Sequence, residues 1–115
     1  MVVAFFKSAT PETEALIVKL NRLAKQQPTL NFEVIVIDPA AKLWLTRVAR
    51  RDRIKIPLTY LRDGQKDIGI HVGKLNVVAA NTIILGTNRV VVANFVNLHE
   101  AGFQKLSDAA ATMLK

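Results

Sequence analysis

The sequence predicts an α/β sandwich: a central mixed β-sheet with helices on both faces. Three observations predict it. Two apolar, β-rich runs at 2–7 and 33–38 each lead into a helix-start signal, Thr10-Pro11-Glu12 and Asp38-Pro39. Two further β-rich runs, Val77 to Leu85 and Arg89 to Phe95, flank Gly86-Thr87-Asn88 and read as a hairpin. The chain then ends on an amphipathic stretch of helical period. With 115 residues, half of them apolar, the chain suits one domain spanning 1–115.

Each element has a local reason. The run 2–7 is short, apolar and rich in β-branched and aromatic residues, the pattern of a buried strand. Thr10 is placed to cap the next helix, near 11–26, with Pro11 at the position where its missing N–H costs nothing. Leu16, Leu20, Leu23 and Ala24 form its buried stripe, broadened by Ile17. In 33–38 the apolar Val34-Ile35-Val36-Ile37 suits a central strand covered on both faces. Asp38 caps a second helix near 39–51, with Leu43, Trp44, Leu45 and Val48 apolar and Arg47, Arg50 and Arg51 outside.

A third strand is expected at 56–61, followed by an Asp63-Gly64 turn. Ile68 to Leu75, with two glycines, reads as a short helical turn or irregular strand. The hairpin places strands at 78–85 and 89–95. Asn97-Leu98-His99-Glu100 matches a capping box, Asn97 as cap and Glu100 three residues on, for a last helix near 98–113. That helix buries Leu98, Phe103, Leu106 and Ala110, with Met113 or Leu114 at its end. Two βα units in succession favour right-handed parallel crossovers, and the hairpin adds antiparallel edges.

Composition removes several classes of function. The chain has no Cys, so disulfides, zinc–thiolate and iron–sulfur sites and cysteine nucleophiles are excluded. The longest apolar runs fall far short of the roughly 20 residues a membrane helix needs, so a soluble domain without membrane insertion is expected. A core strand starting at the second residue fits a trimmed chain, periplasmic or extracytoplasmic in that case and otherwise cytoplasmic. Charge is concentrated. Of the net +7, the stretch 42–66 holds eight basic against two acidic residues.

The strand ending in Phe5-Phe6, the helix start Thr10-Pro11-Glu12-Thr13 and the pair Leu23-Ala24 fall in a familiar order. So do Ile56-Pro57-Leu58 with Asp63-Gly64, Gly73 with Ala80-Asn81-Thr82, and Gly86-Thr87-Asn88-Arg89-Val90-Val91. Across essentially the whole chain this order resembles the thioredoxin-like fold, and within it the thiol-disulfide oxidoreductases of the TlpA and ResA kind. The resemblance implies a thioredoxin-like three-layer sandwich. It also implies a degenerate redox motif, because threonines 10 and 13 stand where the family carries its Cys-x-x-Cys. Asn81 stands where the family has a cis-proline facing the redox pair, and its peptide bond is expected to be trans, since cis costs a non-proline residue about 2.5–4 kcal/mol.

Disulfide exchange requires a thiolate, and a threonine hydroxyl supplies none at neutral pH. A threonine nucleophile would need an adjacent base, and no histidine is near Thr10 in sequence. His71 and His99 lack metal-ligand spacing and read as surface or packing residues, so neither a metal nor a cofactor is expected. Asp38, Asp63, Glu100 and Asp108 are explained by caps, turns and solvated faces, and Trp44 by packing of helix on sheet. What remains is the basic cluster. Arg47, Arg50 and Arg51 share a helix face by their spacing, and Arg53, Lys55 and Arg62 extend it.

The expected function is therefore a non-catalytic domain mediating protein–protein interaction, a module of a larger envelope or secreted protein, with an acidic-surfaced partner on that patch. The alternative is a chaperone-like regulatory module contacting nucleic acid through the same arginines. The absence of base-stacking aromatics among the charges counts against it.

Overall fold

The computed structural model describes residues 1–61, 79–87 and 90–113. Five strands, β1 (Val2–Phe6), β2 (Phe32–Val36), β3 (Leu58–Tyr60), β4 (Asn81–Thr87) and β5 (Val90–Val96), form one sheet in the order β3-β2-β1-β4-β5. The pairs β1–β2 and β2–β3 are parallel, and β1–β4 and β4–β5 are antiparallel. The sheet is thus mixed, and helices α1 (Pro11–Gln26), α2 (Lys42–Arg51) and α3 (Phe103–Met113) flank it. The expected α/β sandwich, a mixed sheet flanked by helices, is what the chain forms. Among the described residues all three helices pack on one face, that of Val2, Ala4 and Phe6.

Strand pleating divides the core. Val2, Ala4 and Phe6 of β1 turn into the larger cluster, with Val34 and Val36 of β2 and Ile83 and Leu85 of β4. All three helices contribute to it: Leu16, Ile17, Leu20 and Leu23 from α1, Leu45 and Val48 from α2, Leu106 and Ala110 from α3. Each such side chain, fully buried, is worth about 1.5–3 kcal/mol before entropy is counted. Phe5 and Ile37 on the alternate positions form a smaller cluster with Val3, Ile35, Leu61 and Ile84. The predicted α1 stripe is buried in this way, and so are Leu98, Leu106 and Ala110.

Several boundaries differ from the sequence reading for identifiable reasons. Strand β3 is shorter than 56–61 because Pro57 has no N–H; its carbonyl instead accepts from Val34 N–H at 3.0 Å. The helix at 39–51 begins as a 3-10 turn, Pro39–Ala41, with Asp38 Oδ1 accepting Ala40 N–H at 2.9 Å as the cap. It ends in a Schellman-type turn: Ile54 N–H donates to Ala49 O at 3.0 Å, and Arg53 takes the left-handed conformation, φ 53°. Gly86 and Thr87, expected in the hairpin loop, are paired with Val91 and Val90 past a bulge at Leu85/Gly86. Glycine is favoured there, because a Cβ at Gly86 would meet Val90 O at 3.0 Å and push that backbone carbonyl aside.

The capping box at Asn97 does not form. Asn97 has φ 54°, outside the extended region a cap needs, and its Oδ1 instead accepts Ala80 N–H at 2.7 Å. The last helix therefore starts later, through a 3-10 turn Glu100–Gly102 preceded by His99, with no side-chain cap. The expected turn at Asp63-Gly64 and the element at 68–75 lie outside the described residues.

Candidate functional site

The degenerate redox motif sits where β1 hands over to α1. Thr10 is extended (φ −130°, ψ 165°) and its Oγ1 accepts Thr13 N–H at 3.1 Å, the capping bond the sequence predicts. The two hydroxyl oxygens are 2.9 Å apart, and Thr13 O–H donates to Ser8 O at 2.8 Å. With its own proton committed to Ser8, Thr13 Oγ1 must accept from Thr10. The hydroxyls thus form a closed relay, Thr10 to Thr13 to Ser8 carbonyl. Thr13 is buried, and among the described residues no histidine or carboxylate hydrogen-bonds either hydroxyl. Glu12, on the same turn, meets His99 Nδ1 at 2.8 Å and holds the start of α1 to the segment before α3. Both side chains are exposed, so the pair lies at the surface, as the sequence reading of His99 expects.

Asn81 lies beside this turn. Lys7 N–H, one residue past β1, donates to Ala80 O at 2.9 Å, and Phe6 pairs with Asn81. The Ala80–Asn81 bond is trans, as expected for a non-proline residue. Asn81 is 5% exposed, and its side chain closes two bonds on the backbone of one residue: Nδ2 donates to Leu98 O and Oδ1 accepts Leu98 N–H, both at 2.9 Å. Asn97 N–H adds a bond to Asn81 O at 2.9 Å. The position thus clamps the approach to α3 onto the start of β4. Sequence reasoning gave this residue only a missing-proline role, because its partner lies 17 positions away with no local signature.

Comparison with known proteins bears on this geometry. A thioredoxin-like protein from Parabacteroides distasonis ATCC 8503 superposes with a TM-score of 0.67 at 13% identity, over 93% of this chain and 78% of that one. The thioredoxin-like arrangement is therefore the fold of this chain. A thiol-disulfide oxidoreductase from Bacteroides fragilis NCTC 9343 gives 0.62 at 20% identity, with the same coverage of both chains. No family model and no curated protein matches the chain. This thioredoxin-like domain has no cysteine at any position, so it has no thiolate with which to exchange disulfides.

The basic cluster is divided by the fold. Arg47, Arg50, Arg53 and Lys55 are exposed. Arg51 is committed elsewhere: it pairs with Glu14 of α1, and its Nε lies 3.9 Å from Asp52 Oδ1. Lys55 N–H is fixed by buried Asn21, whose Oδ1 accepts it at 2.9 Å. Arg62 lies outside the described residues, as does His71. Along α2, Leu45 and Ala49 with Leu58 and Tyr60 of β3 floor an open groove of about 580 Å³, and Lys42 and Arg50 stand at its side. Trp44 packs against the larger core, as expected, whereas Leu43 points to solvent. That resolves three successive apolar residues which one helix face could not hold.

The cluster at Arg51 is a titrating one. Asp52 Oδ2 is buried and, as a carboxylate, has no donor. Once protonated, Asp52 donates to Glu14; that bond, then burial, then repulsion from Glu14 raise its pKa above the ordinary value. The same bond, followed by that from Arg51, holds Glu14 below its ordinary value. The raised Asp52 contributes stability that is present below its unfolded pKa and lost as pH rises through its folded pKa. The depressed Glu14 contributes stability that is present above its unfolded pKa and lost as pH falls through its folded pKa. Asp52→Asn keeps a donor toward Glu14 at every pH. The variant is expected to exceed the parent in stability at pH 7 and to converge with it below the ordinary carboxylate range. Urea unfolding across pH checks this, and a difference independent of pH would count against the shared proton.

Proposed function

We propose that this is a redox-silent thioredoxin-like domain whose α2 face binds a protein with an acidic surface. The observation that carries the reading is the groove along α2. Its floor of Leu45, Ala49, Leu58 and Tyr60 is apolar, and its sides present Lys42 and Arg50, with Arg47 exposed on the same helix. An amphipathic segment with an acidic flank satisfies both features at once, by apolar burial in the floor and charge pairing at the sides. Arg51 is not available for this role in the same degree, being paired to Glu14. The ordered matches from Phe5-Phe6 to Val90-Val91 support placing the domain beside the TlpA and ResA kind.

The test compares binding of an acidic amphipathic helical peptide, a scrambled isomer of equal charge, and mixed-sequence DNA and RNA, all near 0.15 M salt. The wild type is expected to bind the amphipathic peptide in preference to its isomer. Arg47→Glu with Arg50→Glu is expected to weaken that binding by at least about tenfold, with the fold intact because both side chains are exposed. Reversing Arg51 as well is avoided, since it would set three carboxylates together. Micromolar binding to DNA or RNA with a steep salt dependence would transfer the patch to nucleic acid. Equal affinity for peptide and isomer would reduce it to a solvated basic face.

A further inference from the structure

We propose that β5 pairs antiparallel with β5 of a second copy, making a two-fold dimer with one continuous sheet. The strand is the end of the sheet order, and among the described residues its only neighbour is β4. Along it Val90, Val91, Val92 and Val96 are 62%, 59%, 53% and 45% exposed, four of the six large apolar side chains left exposed among the described residues. Soluble proteins blunt such an edge with lysine, proline or inward charge, and Val90–Val96 contains none of these. The bulge opposite Leu85/Gly86 is the one protective feature, and it lies toward the strand's start.

Backbone geometry leaves the edge ready to pair. Asn97 N–H donates to Asn81 O, so by antiparallel alternation Phe95 and Ala93 turn their N–H and C=O toward β4. Asn94 and Val96 then turn theirs to the open side. A two-fold axis at Asn94 sets Asn94 against itself, Ala93 against the second copy's Phe95, and Val92 against the second copy's Val96. Each apolar cross-strand pair of this kind contributes about 0.2–1 kcal/mol and appears twice.

Charge identifies the occupant as a second copy. A chain of net +7 should resist self-association, but its basic segment is on α2, which packs on β3 at the opposite end of the sheet. Across a β5–β5 seam the two α2 faces stand roughly nine strand spacings apart, about 40 Å. That is several times the screening length of about 8 Å at physiological salt. The uncharged strand meets an uncharged strand, and the like charges are held apart. The α2 groove plays no part in this, so the Arg47/Arg50 double variant should dimerise as the wild type does.

Sedimentation equilibrium from about 10 μM to about 1 mM should show a monomer–dimer equilibrium. Val92→Lys with Val96→Lys should weaken it at least about tenfold while circular dichroism stays unchanged, because each lysine then faces the second copy's other lysine across the seam. In this cysteine-free chain, Asn94→Cys should form a covalent dimer on mild oxidation at least about tenfold faster than Thr46→Cys on α2, since the paired positions meet within disulfide reach. A wild type that stays monomeric at about 1 mM overturns the proposal. So does an Asn94→Cys chain that oxidises no faster than the Thr46→Cys control.

Discussion

Replacing Thr10 and Thr13 by cysteine is expected to produce a chain whose two thiols disappear together on mild oxidation. The side-chain oxygens already lie 2.9 Å apart across one helical turn, so two sulfurs on the same Cβ atoms need only small rotations to reach bonding distance. Magnitudes set the stability of the two forms. The substitutions remove the Thr10 cap, worth about 1 kcal/mol, and weaken the Thr13 bond to Ser8 O, worth about as much again. Closing a four-residue loop returns about 2 kcal/mol in the chain-entropy model. The oxidised variant should therefore unfold close to the wild type, and the reduced one at about 2 kcal/mol less. Thiol titration before and after oxidation checks the first statement and urea unfolding the second. Two titratable thiols after oxidation would show that positions 10 and 13 do not face each other. The unmodified chain should reduce insulin at the rate of dithiothreitol alone.

Asn81→Ala is expected to be among the most destabilising changes of a polar residue in this domain. It strips the side-chain partners from both the N–H and the C=O of Leu98, leaving two backbone groups unpaired on a residue only 8% exposed. At about 1–3 kcal/mol for each orphaned group, the expected loss is about 3 kcal/mol. For a domain of this size that lowers the melting temperature by roughly 12 °C. Asn81→Asp discriminates the cause. A carboxylate still accepts Leu98 N–H but opposes Leu98 O, so this variant should be at least as unstable at pH 7 and recover partly when acid restores a donor. Asn94→Ala, on an exposed position of β5, should stay within about 0.5 kcal/mol of the wild type. Thermal unfolding followed by circular dichroism reads all three. An Asn81→Ala domain as stable as the Asn94→Ala one would remove the clamp from consideration.

The readable parts of this protein are those whose cause is local. Strand β1 and the stripe Leu16, Leu20, Leu23 follow from alternation and helical period. Thr10 and Asp38 cap as read, because a cap bonds a backbone N–H two or three residues away. The absence of cysteine by itself excludes disulfide exchange, whatever the fold. Asn97 shows the limit of a motif: Asn and Glu at capping spacing invite a box, yet Ala80 N–H, from a distant strand, competes for the same oxygen and wins.

The remaining features were decided by contacts between residues distant in the chain. Arg51 and Glu14 are 37 positions apart, His99 and Glu12 are 87, and no periodicity links them. Spacing alone puts Arg47, Arg50 and Arg51 on one face, but only the packing of α2 near α1 pairs the exposed Arg51 with Glu14 and so sets it apart from Arg47 and Arg50. Likewise the hairpin reads as the antiparallel edge, but only the sheet order sets β4 beside β1 and leaves Val90-Val91-Val92 on the outermost strand. Sequence determines what a segment can form with its neighbours in the chain, through propensity, period and capping. Which side chains meet, and which strand ends the sheet, depends on the closure of long loops around a common core, and that is settled only in the tertiary structure.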